Sequence, residues 1–331
     1  MGPLCAESEL GMMGIMDADT TMRAVTQSSL GGPEVLAVAE APRPEPRTNE
    51  VLVRVRAASL NPTDWKHRAT GGFLGEPPFT LGWDLSGVVE AVGVGVWRFQ
   101  PGDEVFGMLP YPFGRGSHAE YVTAPARIFA DKPASLDHVE AAALPLVSLT
   151  AWQALVENAE LQAGQRVLIH AGAGGVGHVA IQIAKARGAY VLATGSAAKH
   201  EFLHSLGADE AIDYRSVDFA AAVSDVDVVL DTIGGDYSTR SLRILRPGGV
   251  VVSILPVGSE RFYREAEQLG VRATRMLVDS SRSGLDAIAS LVEAGELRAT
   301  IAGTFPLEQV AEAHRHGDTN RTAGKLVLTM D

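Results

Sequence analysis

Hydrophobic and polar positions change their rhythm once along this chain, near Ala141. Before that point the pattern is one of short strands. Val51-Leu-Val-Arg-Val-Arg56 alternates apolar and polar side chains, the period of a half-buried strand, and the apolar stretch from Leu85 to Val96 is cut by Gly87, Gly93 and Gly95. Pro42, Pro44 and Pro46 make an extended connection, because proline's fixed φ and missing N–H exclude a helix there. Short strands punctuated by glycine and proline predict a barrel-like β domain.

After Ala141 strands and helices alternate. Arg166 to Ala171 reads as a short buried strand, and Val176 to Arg187 as a helix with Val179, Ala180, Ile183 and Ala184 on one face. Tyr190 to Thr194 is the next strand, and Lys199 to Leu206 the next helix, stopped by Gly207. Asp227 to Asp231 and Val250 to Ile254 continue the strands. This spacing predicts βαβ units and a parallel sheet covered on both faces. A helix from about Gly284 to Ala294 leads into Phe305-Pro-Leu and a last strand, Lys325 to Thr329. That closing stretch is too β-like and too short to stand alone, so it is placed back with the first domain.

Length and charge sharpen this α/β reading. A chain of 331 residues has room for two domains, at roughly 100–200 residues each. The formal charge of −12 argues against a duplex nucleic acid partner, which would need a basic face. No apolar run reaches the roughly 18–20 residues of a membrane span, so no membrane partner is expected. Cys5 is the only cysteine, which excludes an intrachain disulfide and a cysteine-based zinc site and fits a reducing cytoplasm. Residues 1–21 lack periodicity and the basic start of a secretory signal, so a disordered extension is expected there.

The chemistry centres on Gly172-Ala173-Gly174-Gly175-Val176-Gly177. The string G-x-G-x-x-G is weak alone, but here it follows a strand and opens a helix inside a βαβ unit. Gly172 allows the tight turn, Gly174 the approach of a pyrophosphate, and Gly177 close packing of helix on strand. The free N–H groups of the helix N-terminus then face the phosphates. About 20 residues on, an NAD site usually places an acid against the ribose 2′-hydroxyl. This chain has Thr194-Gly-Ser196-Ala-Ala-Lys199 instead. A hydroxyl and an ammonium suit a 2′-phosphate, so the expected cofactor is NADPH. An ammonium in a first helical turn is not favoured by the helix dipole, so another charge is expected to hold Lys199.

An ordered series of stretches now resembles a known family. They are Leu60-Asn-Pro-Thr-Asp64, Leu81-Gly-Trp-Asp84 with Gly87, Gly102-Asp-Glu-Val105, Ala119-Glu-Tyr121, Leu144-Pro with Thr150-Ala151, the glycine motif, and Gly324-Lys325. From about Met22 to its end the chain resembles the medium-chain dehydrogenases/reductases, in the zinc-independent quinone oxidoreductase and enoyl reductase branch. The resemblance implies a GroES-like catalytic domain, residues 22–146 with 285–331, around a Rossmann domain, residues 147–284, with the nicotinamide in the cleft between them. It implies that Ser196, Lys199 and Tyr214 surround the 2′-phosphate, with Arg215 a possible second cation beside them, and that Thr150 lies beside the nicotinamide. It implies no zinc, because Asn61 falls where the zinc branch has Cys and Gly82-Trp83-Asp84 where it has Gly-His-Glu. The soft ligands are thereby lost.

Without a metal to stabilise an alkoxide, a conjugated carbonyl is an easier hydride acceptor than a simple aldehyde. Asn61 is the candidate hydrogen-bond donor to the substrate carbonyl, and Asp64 a loop anchor or proton relay. Asn61 before Pro62 and Asp64 after it also have purely conformational readings. Tyr111 and His118 are chemically eligible proton donors, as is water. Trp65 and Trp83 read as core indoles or cleft walls, and Lys66 as a solvated cation. The expected activity is NADPH-dependent reduction of an enone, an enoyl thioester or a quinone. One-electron quinone reduction, or a weakly active NADPH-binding sensor or structural protein, are the alternatives. A homodimer is expected, through an apolar edge at Val250–Ile254.

Overall fold

Two large sheets organise the protein in this computed structural model, which describes residues 20–114, 116–255 and 260–330. The strands before residue 141 are β1 (Thr21–Gln27), β2 (Leu36–Pro42), β3 (Glu50–Leu60), β4 (Asp84–Val92), β5 (Glu104–Met108), β6 (Tyr121–Pro125) and β7 (Phe129–Asp131). Those of the alternating region are β8 (Arg166–Ile169), β9 (Tyr190–Gly195), β10 (Glu210–Asp213), β11 (Val226–Asp231), β12 (Leu245–Ser253) and β13 (Arg272–Arg275). Two more close the chain, β14 (Ile301–Pro306) and β15 (Lys325–Thr329).

β1 and β2 pair antiparallel by themselves, while the larger β sheet runs β14-β15-β3-β4-β5-β7, with β6 also on β3. The C-terminal strands therefore complete the N-terminal sheet: β15 lies antiparallel on β3, Leu326 opposite Leu60. The long strand β3 owes its central place to its side chains, since Val51, Val53, Val55, Ala57, Ala58 and Leu60 are all buried. Its last residue abuts Asn61, and that junction is where the site begins.

The second sheet is parallel throughout, in the order β10-β9-β8-β11-β12-β13. The order in which successive strands are added reverses between β8 and β11, leftward from β8 to β10 and rightward from β11 to β13. In doubly wound sheets a ligand crevice opens at such a switch point, beyond the carboxyl ends of the strands. β8 ends at Ile169, directly before the glycine motif, so the topology delivers that motif to the crevice. The fold is α/β, a GroES-like domain with a Rossmann sheet.

Three readings of the sequence need adjustment. Val250–Ile254 is not a sheet edge: β12 is paired on both sides, by β11 and β13, and Val250, Val251 and Val252 are buried. The edge is β13, whose four residues Arg-Ala-Thr-Arg are too short and polar to announce a strand. The helix expected from Lys199 begins at His200 instead, behind a 3₁₀ turn over Ala197–Lys199. The extension expected over residues 1–21 falls, up to residue 19 and with Cys5 in it, outside the described residues, whereas Thr21 opens β1. Among the described residues no helix is long and apolar enough to cross a membrane.

Candidate active site

The glycine turn joins β8 to the helix Gly175–Ala186, with Gly174 at the N-cap in an extended conformation. Gly172 N–H donates to the Thr194 carbonyl at 2.8 Å, fixing the turn against β9. A Cβ on Gly177 would lie 2.4 Å from the Ala171 carbonyl oxygen and 2.7 Å from Gly172 Cα, so helix and turn meet too closely for any side chain. At Gly174 the nearest atom to such a Cβ is 3.2 Å away. The turn is thus packed behind Gly177, while at Gly174 the Ala171 carbonyl oxygen is the one neighbour a Cβ would meet within 4 Å. The first-turn N–H groups of Gly175, Val176 and Gly177 have no acceptor four residues back within the helix, as at every helix start, and they face an anion favourably.

At the carboxyl end of β9, Ser196 precedes the 3₁₀ turn that carries Lys199. Lys199 Nζ donates to the Arg321 carbonyl at 3.0 Å, so a peptide dipole holds it where an opposing charge was expected. Burial holds its ammonium below the ordinary lysine range, and the nearby Tyr214 opposes that shift. Tyr214 is 46% exposed, and the Arg215 guanidinium stands 5.7 Å from its ring centroid. Ser196, Lys199 and Tyr214 therefore share one corner, where among the described residues no acidic side chain is hydrogen-bonded to the lysine. Arg321, which sequence reasoning missed, comes to that corner from the C-terminal segment.

The second half of the site is a buried polar network at the end of β3. The helix Pro62–Thr70 starts there because Asp64 folds back on Asn61, its N–H donating to the Asn61 main-chain carbonyl at 2.9 Å, and Pro62 occupies the first turn. Asp64 Oδ2 accepts from Asn61 N–H at 2.7 Å and Oδ1 from Gly82 N–H at 3.0 Å. Burial pushes the Asp64 carboxyl up to about 7, against those two N–H bonds and the Lys325 charge. Asn61, 1% exposed, donates from Nδ2 to Asp84 Oδ2 at 2.8 Å and accepts at Oδ1 from Lys325 Nζ. Asp84 also accepts from Ser59 Oγ at 2.6 Å and from Leu146 N–H at 2.6 Å, near the start of the helix Pro145–Trp152.

Thr150 lies on that same helix, 4% exposed, and donates its hydroxyl to the Leu146 carbonyl at 2.6 Å. Its remaining capacity is as an acceptor. Tyr111 is half-buried and shares a hydrogen bond of 3.0 Å with Thr63 Oγ1, two residues beyond Asn61. Burial raises the Tyr111 hydroxyl, which stays protonated. His118 is sealed from solvent and held down to about 4 by burial, so it is a neutral core histidine. Trp83 is fully buried, 5.3 Å from both the His67 and Tyr111 rings, and Trp65 packs on Gly317. Lys66 is exposed.

Both halves meet at Gly324-Lys325. Gly324 N–H donates to the Ala173 carbonyl at 3.1 Å, and a Cβ on Gly175 would lie 3.4 Å from Lys325 Cδ. Spacing along the chain assigns Lys325 no task. The signal for one was present: an ammonium heading the apolar strand Lys-Leu-Val-Leu-Thr must find partners when the strand is buried.

Known proteins agree with this architecture. Residues 47–134 match the family described as alcohol dehydrogenase GroES-like domain, and residues 206–328 the family described as zinc-binding dehydrogenase. The residues do not fit the zinc of that second description. Asn61 is engaged by Lys325 and Asp84, the buried Trp83 beside Asp84 has no metal-ligating atom, and the described residues include no group of three or more metal-ligating side chains. The mitochondrial NAD(P)H oxidoreductase RTN4IP1 of Bos taurus is 35% identical, over 85% of this chain and 82% of its own. The chloroplastic NADPH-dependent alkenal/one oxidoreductase of Arabidopsis thaliana is 35% identical, over 93% and 79%. The quinone oxidoreductase structure from Coxiella burnetii superposes with a TM-score of 0.89 at 38% identity, covering 94% of this chain and 100% of its own. With a GroES-like sheet, a Rossmann sheet and a glycine turn facing a buried polar cluster, the chain belongs to the medium-chain dehydrogenase/reductase superfamily, as an NAD(P)H-dependent oxidoreductase of the quinone oxidoreductase and alkenal reductase branch.

Proposed function

We propose that this enzyme uses NADPH to reduce the activated double bond of an enone or enoyl thioester, and quinones as well. The observation that carries the reading is the meeting of the glycine turn with Asn61, a single lysine side chain apart. A dinucleotide's phosphates would be held by the first-turn N–H groups of Gly175, Val176 and Gly177, with Gly172 and Gly174 shaping the turn. Its 2′-phosphate would be held by Ser196, Lys199 and Tyr214, with Arg321 adjacent. When bound, NADPH supplies a hydride from its nicotinamide ring.

The chain's own work is orientation and charge stabilisation. Asn61 Nδ2 has one hydrogen on Asp84, and its second has no acceptor among the described residues. In this reading that second hydrogen meets the substrate carbonyl oxygen, where negative charge develops as the β-carbon is reduced. Asp64 holds the Asn61 backbone through its carboxylate and its N–H, and Thr150 offers an acceptor to the carboxamide side. Since His118 is sealed, the proton for the α-carbon comes from Tyr111 or from water. The division into 22–146 with 285–331 around 147–284 belongs to the same proposal, as does a homodimer joined through the β13 edge, with sedimentation at micromolar concentration as its check.

Steady-state NADPH oxidation over enones, enoyl thioesters and quinones tests the proposal. Turnover of enones or enoyl thioesters is expected, with two-electron products. A semiquinone signal from quinones alone would favour one-electron chemistry, and tight NADPH binding with no turnover would favour a sensor.

A further inference from the structure

We infer that Lys325 is a positioning residue: its ammonium selects the orientation of the Asn61 side-chain amide and ties that amide to the glycine turn. The inference rests on the reading of Asn61 as the carbonyl donor, and it adds how that donor is aimed.

Lys325 heads β15 and is 2% exposed. Its Nζ donates to the Leu60 carbonyl at 2.8 Å and to Asn61 Oδ1, and lies 3.6 Å from Asp84 Oδ2. An asparagine amide is nearly symmetric in shape, so only its partners decide which end carries the oxygen. An ammonium can only donate, which draws Oδ1 to the lysine. Asp84 Oδ2 accepts, which draws Nδ2 to the opposite side. The two together leave the free Nδ2 hydrogen one direction. Removing the ammonium removes half of that selection and lets the amide turn over.

The same side chain reaches the other half of the site. Its Cδ packs where a Cβ on Gly175 would come within 3.4 Å, and the preceding Gly324 is bonded to Ala173 in the turn. A shift of the glycine turn is therefore passed to Nζ and on to Asn61. Burial lowers the lysine's affinity for its proton, while Asp84 and Asp64 oppose that loss. Those carboxyls supply a competing account, in which Lys325 is only their counter-ion. That account predicts lost stability, with normal turnover in every molecule that still folds.

Lys325→Met separates the two, with kcat counted per NADPH-binding site by fluorescence titration. We expect kcat on an enone to fall by about thirtyfold or more, with KM and the NADPH Kd each within about threefold of the parent. Lys325→Arg, which keeps the charge and the donors, should recover most of that loss. Hydrogen exchange in the peptide spanning 58–66 should quicken in Lys325→Met and not in Lys325→Arg. The double variant Lys325→Met/Asn61→Ala should be no more than about twofold slower than Asn61→Ala, because both act through one amide. Parental kcat per site in Lys325→Met, or losses that multiply in the double variant, overturns the inference. If Lys325→Met does not fold, Lys325→Met/Asp84→Asn removes both buried charges and is compared with Asp84→Asn alone. Equal turnover of those two overturns the inference, and a further loss supports it. A fast Asn61→Ala enzyme would instead remove the underlying reading of Asn61.

Discussion

Replacing Asn61 by alanine is expected to lower kcat on an enone by on the order of 10²-fold, and to raise KM far less. The asymmetry follows from where charge appears. A carbonyl oxygen in the ground state gains little from the Nδ2 hydrogen, and an oxygen taking on enolate character gains much. Well-studied oxyanion donors cost about 10²–10³ in rate when removed, and an enolate spreads its charge over more atoms, which places this loss at the lower end. The substitution also leaves Lys325 Nζ and Asp84 Oδ2 short of one partner each in a buried place. Stability should fall by about 1–3 kcal/mol on that account, visible as a lowered melting temperature. NADPH affinity should survive, because the turn at Gly172–Gly177 does not touch Asn61 directly. A matched rise in KM with unchanged kcat would show that Asn61 serves only uniform binding.

Lys199→Ala is expected to weaken NADPH by at least about tenfold while leaving NADH nearly unchanged, equivalent to roughly 1.4 kcal/mol from one charge-assisted phosphate contact. The parent should prefer NADPH by a similar margin. Along Thr194–Lys199, where an NAD site places its acid, the sequence has Ser196 and Lys199 and no Asp or Glu. The variant also loses the bond from Nζ to the Arg321 carbonyl, and that loss acts on both cofactors alike. The difference between the two dissociation constants is therefore the quantity to read, by quenching of protein fluorescence. Equal losses for both cofactors would remove Lys199 from the 2′-phosphate site.

These two residues also show what a sequence of this kind discloses. That Ser196 and Lys199 stand at the end of the strand after the glycine motif was legible from spacing along one βαβ unit, whereas Arg321 reaches the corner from the C-terminal segment. The glycine motif follows a strand, and the end of the next strand comes about 20 residues later. Local spacing also marked Asn61 and Asp64, three apart around a proline, as candidates for chemistry or for a turn, though not as the start of a helix. The Lys325 network was not legible in that way. Lys325 and Asn61 are 264 positions apart, and only the pairing of β15 on β3 brings them together. β13 was missed for a different reason. Arg272-Ala-Thr-Arg275 has neither length nor an apolar face, and its strand conformation comes from the backbone bonds that β12 offers. Missing it misplaced the sheet edge, and with it the surface assigned to self-association.

The destination of the hydride tests the central claim most directly. With NADPH deuterated at the transferring C4 position and an α,β-unsaturated ketone as substrate, the product is isolated and read by NMR and mass spectrometry. The proposed chemistry places one deuterium at the β-carbon and a solvent-derived proton at the α-carbon, with the carbonyl intact. Deuterium at the carbonyl carbon of an allylic alcohol would mean carbonyl reduction, and would contradict the account.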